Sequence, residues 1–124
     1  MKDFAELFDD LLVLEDPMDK YDWIIEYGAD NTKLDIKYRT EANLVRGCTS
    51  PLWVVKVNNR LQAQGDSSIV NGIAAMICDW YNQANEEQRK DLSLTMLESI
   101  GLAPLLSMGR QNGVANLIKT IQTL

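Results

Sequence analysis

Trp53-Val54-Val55-Lys56-Val57 and Arg60-Leu61-Gln62-Ala63-Gln64 flank the pair Asn58-Asn59, and nothing else in the chain carries so clear a strand signal. Asparagine tolerates positive φ, so the pair suits the tight turn of an antiparallel hairpin. Extended structure begins earlier, near Leu44, so the extended segments cluster in one stretch instead of alternating with helices. That order argues for an α+β fold, with a small antiparallel sheet of about three strands packed against several helices on one face.

The flanks read as helices. Phe4, Leu7, Phe8 and Leu11 recur at three- and four-residue spacing, which predicts one amphipathic helix ending near Leu14. Asp16 can cap a second helix that begins at Pro17, turns Tyr21, Ile24 and Ile25 inward and closes at Gly28. From Ala29 to Asn43 the pattern is polar and without period, as in a long surface loop. Beyond the hairpin, Gly65-Asp66-Ser67 supplies a turn and a cap, and Ile69, Val70, Ile73, Ala74, Ile77, Trp80 and Tyr81 trace the broad face of a central core helix. Asn85-Glu86-Glu87-Gln88 has capping-box spacing, and Ser93 to Ile100 predicts a short helix stopped by Gly101. Pro104 forces a break, and a polar turn over Ser107 to Gly113 precedes a last helix carrying Val114, Leu117, Ile118 and Ile121.

With 124 residues, 46% of them apolar, the chain is expected to form one domain over 1–124, large enough for a core without disulfide or metal staples. Acids outnumber bases by 18 to 12, so the overall field repels phosphate backbones and anionic membrane surfaces, and neither nucleic acid nor membrane is an expected partner. Apolar runs such as Leu11-Leu12-Val13-Leu14 are far shorter than a bilayer span. Met1-Lys2-Asp3-Phe4-Ala5-Glu6 has no export pattern, so a soluble protein of the cytoplasm is expected. Histidine is absent, which removes Ser/His/Asp and Cys/His catalysis, hence a cysteine hydrolase, and every zinc site that needs imidazole.

Two cysteines remain. Cys48 lies in Val45-Arg46-Gly47-Cys48-Thr49-Ser50-Pro51, a stretch bounded by glycine and proline that predicts a bend from which a thiol can reach another protein. Gly47 lets the backbone turn, and Arg46 is placed to favour the thiolate, the nucleophilic form. Against this stands the ordinary fate of a free cysteine, burial as a small apolar residue. That reading suits Cys78, on the flank of the core-helix stripe, and a structural bridge between the two is a lesser alternative. The carboxylates are scattered at no ligand spacing, and no metal site is expected.

Arg39-Thr40-Glu41, Asn43, Val45-Arg46-Gly47-Cys48, Trp53, Gly65-Asp66-Ser67, Ile69-Val70, Gly72 and Arg110-Gln111-Asn112-Gly113 stand in the order and spacing of one family. Over nearly its whole length the chain resembles SufE. The resemblance implies a SufE/IscU-like α+β fold and a persulfide sulfur carrier that accepts sulfur from a cysteine desulfurase, of the SufS or CsdA kind, stimulates it, and passes the sulfur to a downstream scaffold for iron–sulfur cluster assembly. Cys48 would be the catalytic carrier, with Arg46, Gly47 and Thr49 supporting its loop. Tyr38, Arg39, Asp66, Arg110, Asn112 and Gly113 match family positions that would serve loop support or partner docking. No cofactor is implied here, since the pyridoxal phosphate belongs to the desulfurase. Leu44, Pro51, Leu52 and Trp53 would line an apolar shelter for the resting loop. Thr49 stands where the family usually has glutamine, Pro51 follows Ser50, and Ser68 replaces a common aspartate, differences that bear on which desulfurase is recognised. The alternatives are a scaffold-type assembly protein, which needs about four ligands where one loop thiol is offered, and a non-catalytic partner module.

Overall fold

A computed structural model describes residues 3–31 and 34–124. Helices α1 (Phe4–Leu7), α2 (Asp9–Leu12) and α3 (Pro17–Asn31) lead through two 3₁₀ turns into a hairpin of β1 (Leu52–Val57) and β2 (Arg60–Gly65). Helices α4 (Ser68–Gln83), α5 (Glu86–Arg89), α6 (Leu94–Glu98) and α7 (Met108–Gln122) complete the chain. The class is α+β, as expected.

The hairpin forms where its turn residues dictate. Val57 pairs with Arg60, and Asn58 and Asn59 take φ of 52° and 64°, the double left-handed turn whose twist matches the flanking strands. Leu52 and Val54 of β1 and Leu61 and Ala63 of β2 are buried, with β2 packed against α4, while their neighbours along each strand are more exposed. The expected third strand is a single bridge, Leu44 to Trp53, with Val45 N–H donating to Leu52 O at 2.8 Å. The ladder stops there because the chain bends at Arg46-Gly47, Gly47 has a φ of 79°, and Pro51 has no N–H to offer. The sheet is therefore two-stranded.

The predicted first helix breaks at Phe8, whose φ of −114° and ψ of 35° leave the helical region. Asp9 and Asp10 then open a new N-terminus, where acidic groups suit the dipole. Phe4, Phe8 and Leu11 stay buried through the break, with the Phe8 ring edge-on to Phe4, Trp23 and Tyr27.

Asp16 caps α3 as anticipated, accepting from Met18 N–H at 2.8 Å. The helix does not close at Gly28 but runs on to Asn31. Ala29 to Asn31 thus belong to α3, and the remainder of the predicted loop holds the 3₁₀ turns Ile36–Tyr38 and Glu41–Asn43 and a buried Leu34; Thr32 and Lys33 lie outside the described residues, as do Met1 and Lys2. Gly28 serves a close approach: a Cβ there would lie 2.6 Å from Gly72 Cα. Helices α3 and α4 therefore touch backbone to backbone, and α4, buried along most of its length, is the middle layer between α3 and the hairpin.

The capping box at Asn85 and Gln88 is present with both reciprocal bonds, and Gly101, at φ 70°, ends the α6 region. The predicted polar turn at 107–113 is instead the start of α7. Ser107 caps it, and two glycines with Met108, Arg110, Gln111 and Asn112 form its first turns, where no apolar period announces a helix. No helix among the described residues is long and apolar enough to cross a membrane.

Candidate functional site

The loop carrying Cys48 is laid against the N-terminal half of α7. Gly47, in its left-handed conformation, turns its carbonyl to the α7 side chain Asn116, whose Nδ2 donates at 3.2 Å. The turn delivers Cys48 to Gly113, where the thiol donates to the Gly113 carbonyl at 3.6 Å. A Cβ on Gly113 would lie 3.4 Å from Cys48 Sγ, and one on Gly109 3.3 Å from Thr49 Cγ2. Gly109, Gly113 and Asn116 stand at i, i+4 and i+7, one face of a helix. That stripe is a groove cut to the loop's shape. At the other end, Asp66 N–H donates to Pro51 O at 2.9 Å and ties the loop to the start of α4.

A cleft of about 10 Å³ lies beside Cys48, lined by Thr49, Ser50, Pro51, Ser67, Val70, Gly109, Arg110 and Gly113. Of the four residues expected to shelter the thiol, only Pro51 borders this cleft. Leu44, Leu52 and Trp53 follow the strand register instead, and the glycine face of α7 with Val70 of α4 takes their place.

Cys48 is partly buried, and removal from water pushes its thiol up from the ordinary value. The direction is opposite to the thiolate-favouring role expected of Arg46, which is exposed at the bend. In this docked form the neutral thiol is stabilised. Cys78 is buried on α4, and desolvation, with a smaller contribution from Asp79, pushes it up to about 12. Both cysteines are free, so the alternative of a bridge between them does not hold.

The other sequence-selected residues fall into two sets. Arg46, Gly47, Thr49, Arg110 and Gly113 come together around the thiol or its bend, with Asp66 joined to the loop through its backbone. Arg110 also bridges α7 to α3, its Nη1 donating to Tyr21 Oη at 3.0 Å. Tyr38, Arg39 and Asn112 are not brought to the thiol. The Tyr38 carbonyl accepts from Asn43 Nδ2, and Arg39 Nη2 donates to Leu34 O at 3.1 Å and Gln64 Oε1 at 2.7 Å, pinning the 3₁₀ segment to β2. Asn112 borders a separate apolar groove with Ile73, Leu97 and Leu102. Sequence reasoning gave Ser67 and Val70 a place as cap and core-helix face and within the family pattern but not beside the thiol, and it missed Gly109 and Asn116. The i, i+4, i+7 stripe was the available signal, hidden because the segment reads as a turn.

Among the described residues no group of three or more histidine, cysteine, aspartate or glutamate side chains is arranged to hold a metal ion. A small α+β domain, a bend that presents one thiol, and a helix groove that receives it define a thiol-bearing protein. Its family follows from comparison: the SufE description, "Fe-S metabolism associated domain", matches residues 5–124, and the chain belongs to that family. Membership implies a sulfur-transfer role in iron–sulfur metabolism. An uncharacterized SufE-like protein of Rhizobium etli is 32% identical, over 98% of this chain and 88% of its own length. One from Rhizobium meliloti is 29% identical over 99% and 94%. SufE-like protein 1 of Arabidopsis thaliana, described as chloroplastic/mitochondrial, is 28% identical over 98% of this chain, which spans 33% of that longer protein.

Proposed function

We propose that Cys48 is a persulfide carrier in the cytoplasm, loaded by a cysteine desulfurase and unloaded onto a downstream acceptor. In the loading step the Cys48 thiolate attacks the outer sulfur of the donor's cysteine persulfide. A new S–S bond forms at Cys48, the donor's S–S bond breaks, and the donor cysteine leaves as a thiolate. The pyridoxal phosphate that made the donor persulfide stays with the partner. The step calls for no general base from this chain, because a thiol exposed at the partner surface can lose its proton to water and attack as the thiolate.

The observation that carries the reading is the seating of Cys48: a single thiol at a bend with a flexible glycine, held by few bonds, beside space for about one water-sized atom. Such a loop can shield a reactive outer sulfur and then swing out, since undocking breaks only weak contacts. Undocking onto a partner also returns the thiol toward its ordinary acidity, so the nucleophile is made where it is used.

Cys48→Ser separates carrier from passive module. The substitution should leave desulfurase binding, read by titration calorimetry, within about twofold of wild type, because it changes one atom. Stimulation of sulfide release should disappear. Retained stimulation would mean that this chain acts by contact alone.

A further inference from the structure

Ser67 carries the buried side-chain oxygen that, among the described residues, lacks a hydrogen-bond partner. It stands at the N-cap of α4, with φ −73° and ψ 121°, where a serine hydroxyl ordinarily accepts from an amide in the first turn. Its side chain makes no such bond. Buried hydroxyls are rarely left unpaired, so one that forgoes its cap is available to a further partner. The same residue lines the cleft of about 10 Å³ beside Cys48, which has room for one further small atom.

Two long helices begin at this cleft. Ser67 and Val70 belong to the start of α4, Gly109 and Arg110 to the first turn of α7. Their positive dipole ends favour an anion between them. The resting thiol makes no use of this, because its S–H is directed to the Gly113 carbonyl. A persulfide differs in both respects that matter: Sγ no longer carries a proton, and one extra sulfur, readily anionic, extends from it.

We propose that the Ser67 hydroxyl holds the outer sulfur of a Cys48 persulfide in this cleft by donating its hydrogen to it, an inference that rests on the carrier reading above. Ser67 makes and breaks no covalent bond; it is a positioning residue that becomes paired only in the loaded protein. The bond keeps the sulfur from water and stray thiols between loading and delivery.

The test loads the full chain without a desulfurase, so it stands apart from the question of the donor. A mixed disulfide of Cys48 with an aryl thiol is treated with hydrosulfide, which attacks Sγ, forms the persulfide S–S bond and expels the aryl thiolate. The persulfide of wild type and of Ser67→Ala is timed against a small thiol and titrated through its near-ultraviolet absorbance. Loss should be roughly tenfold faster in Ser67→Ala, the factor expected of one hydrogen bond to a charged group. The titration midpoint should also rise, because the anion has lost a donor. Ser67→Gly, well tolerated at an N-cap, should behave alike. The charged neighbours, Arg46 on the loop, Arg110 on α7 and Asp66 beside Ser67, are the same in all three proteins. Alkylation of the unloaded Cys48 thiol should not change. Equal persulfide lifetimes and midpoints, or an equal acceleration of the unloaded thiol, overturn the proposal.

Discussion

Gly72→Ala should lower the melting temperature by roughly 10 °C, although alanine is the better helix former. A Cβ at Gly72 would overlap the Ile24 carbonyl oxygen and lie 2.6 Å from Ile24 Cγ2 and 2.8 Å from Ile24 C. Two of these three atoms are backbone of α3, so no rotamer change relieves the clash. Helix α4 must move off α3, and the layer holding Ile24 and Ile73, both wholly buried, must open with it. Overpacking of this kind costs about 1–3 kcal/mol or more, whereas alanine returns about 1 kcal/mol of helix propensity. With backbone on both sides the upper end applies, and a net loss of about 2 kcal/mol follows. Thermal melting followed by circular dichroism reads it. An unchanged or raised midpoint would mean that the two helices do not touch as described.

Gly113→Leu acts on the site and spares the core. Its Cβ would sit 3.4 Å from Cys48 Sγ, close to ordinary contact, but the remaining carbons must enter the space the thiol occupies. Leucine suits a helix interior, so α7 stays and the loop leaves. What the loop gives up is the Asn116 bond to Gly47 O and the burial of the cysteine side chain, together about 2 kcal/mol, or a factor of roughly 30 in exposure of the thiol. Alkylation of Cys48 near neutral pH should accelerate by about that factor.

The pH dependence gives the sign. Because the docked thiol is raised above its ordinary value, docking favours the protonated form and is fully supported below the ordinary thiol range. That support is lost as pH climbs through the ordinary value toward the raised one. Wild-type alkylation should therefore titrate at higher pH than in Gly113→Leu, and Cys78 should stay unlabelled in both while the fold is intact. Identical profiles for the two proteins would show that the loop is not seated on the glycine face.

What could be read from the residues alone divides along physical lines. The hairpin was legible because positive φ at Asn58 and Asn59 is a local demand that few residue types meet. Helix α4 was legible because its apolar face is broad and long. The start of α7 was not, because a surface that must admit another backbone carries glycine and polar side chains, the same composition as a turn. The third strand was overestimated because an extended segment beginning near Leu44 says nothing about whether a ladder can propagate past Gly47 and Pro51.

The site followed the same rule. Cys48 was visible from its bend and from the family pattern, but its shelter was assigned to apolar neighbours in sequence. The real shelter comes from Gly109 and Gly113, more than sixty residues away along the chain. Gly28 and Gly72 repeat the lesson in the core, where Gly28 read as a helix stop and serves as a point of contact.

Sulfur transfer through Cys48 is tested most directly by incubating the chain with a cysteine desulfurase and cysteine, then locating added mass by peptide mass spectrometry. One additional sulfur atom on the peptide containing Cys48, removed by a reducing thiol and absent from the peptide containing Cys78, is the predicted result. Sulfur found on Cys78 alone, or on neither cysteine while the desulfurase still turns over, would contradict it.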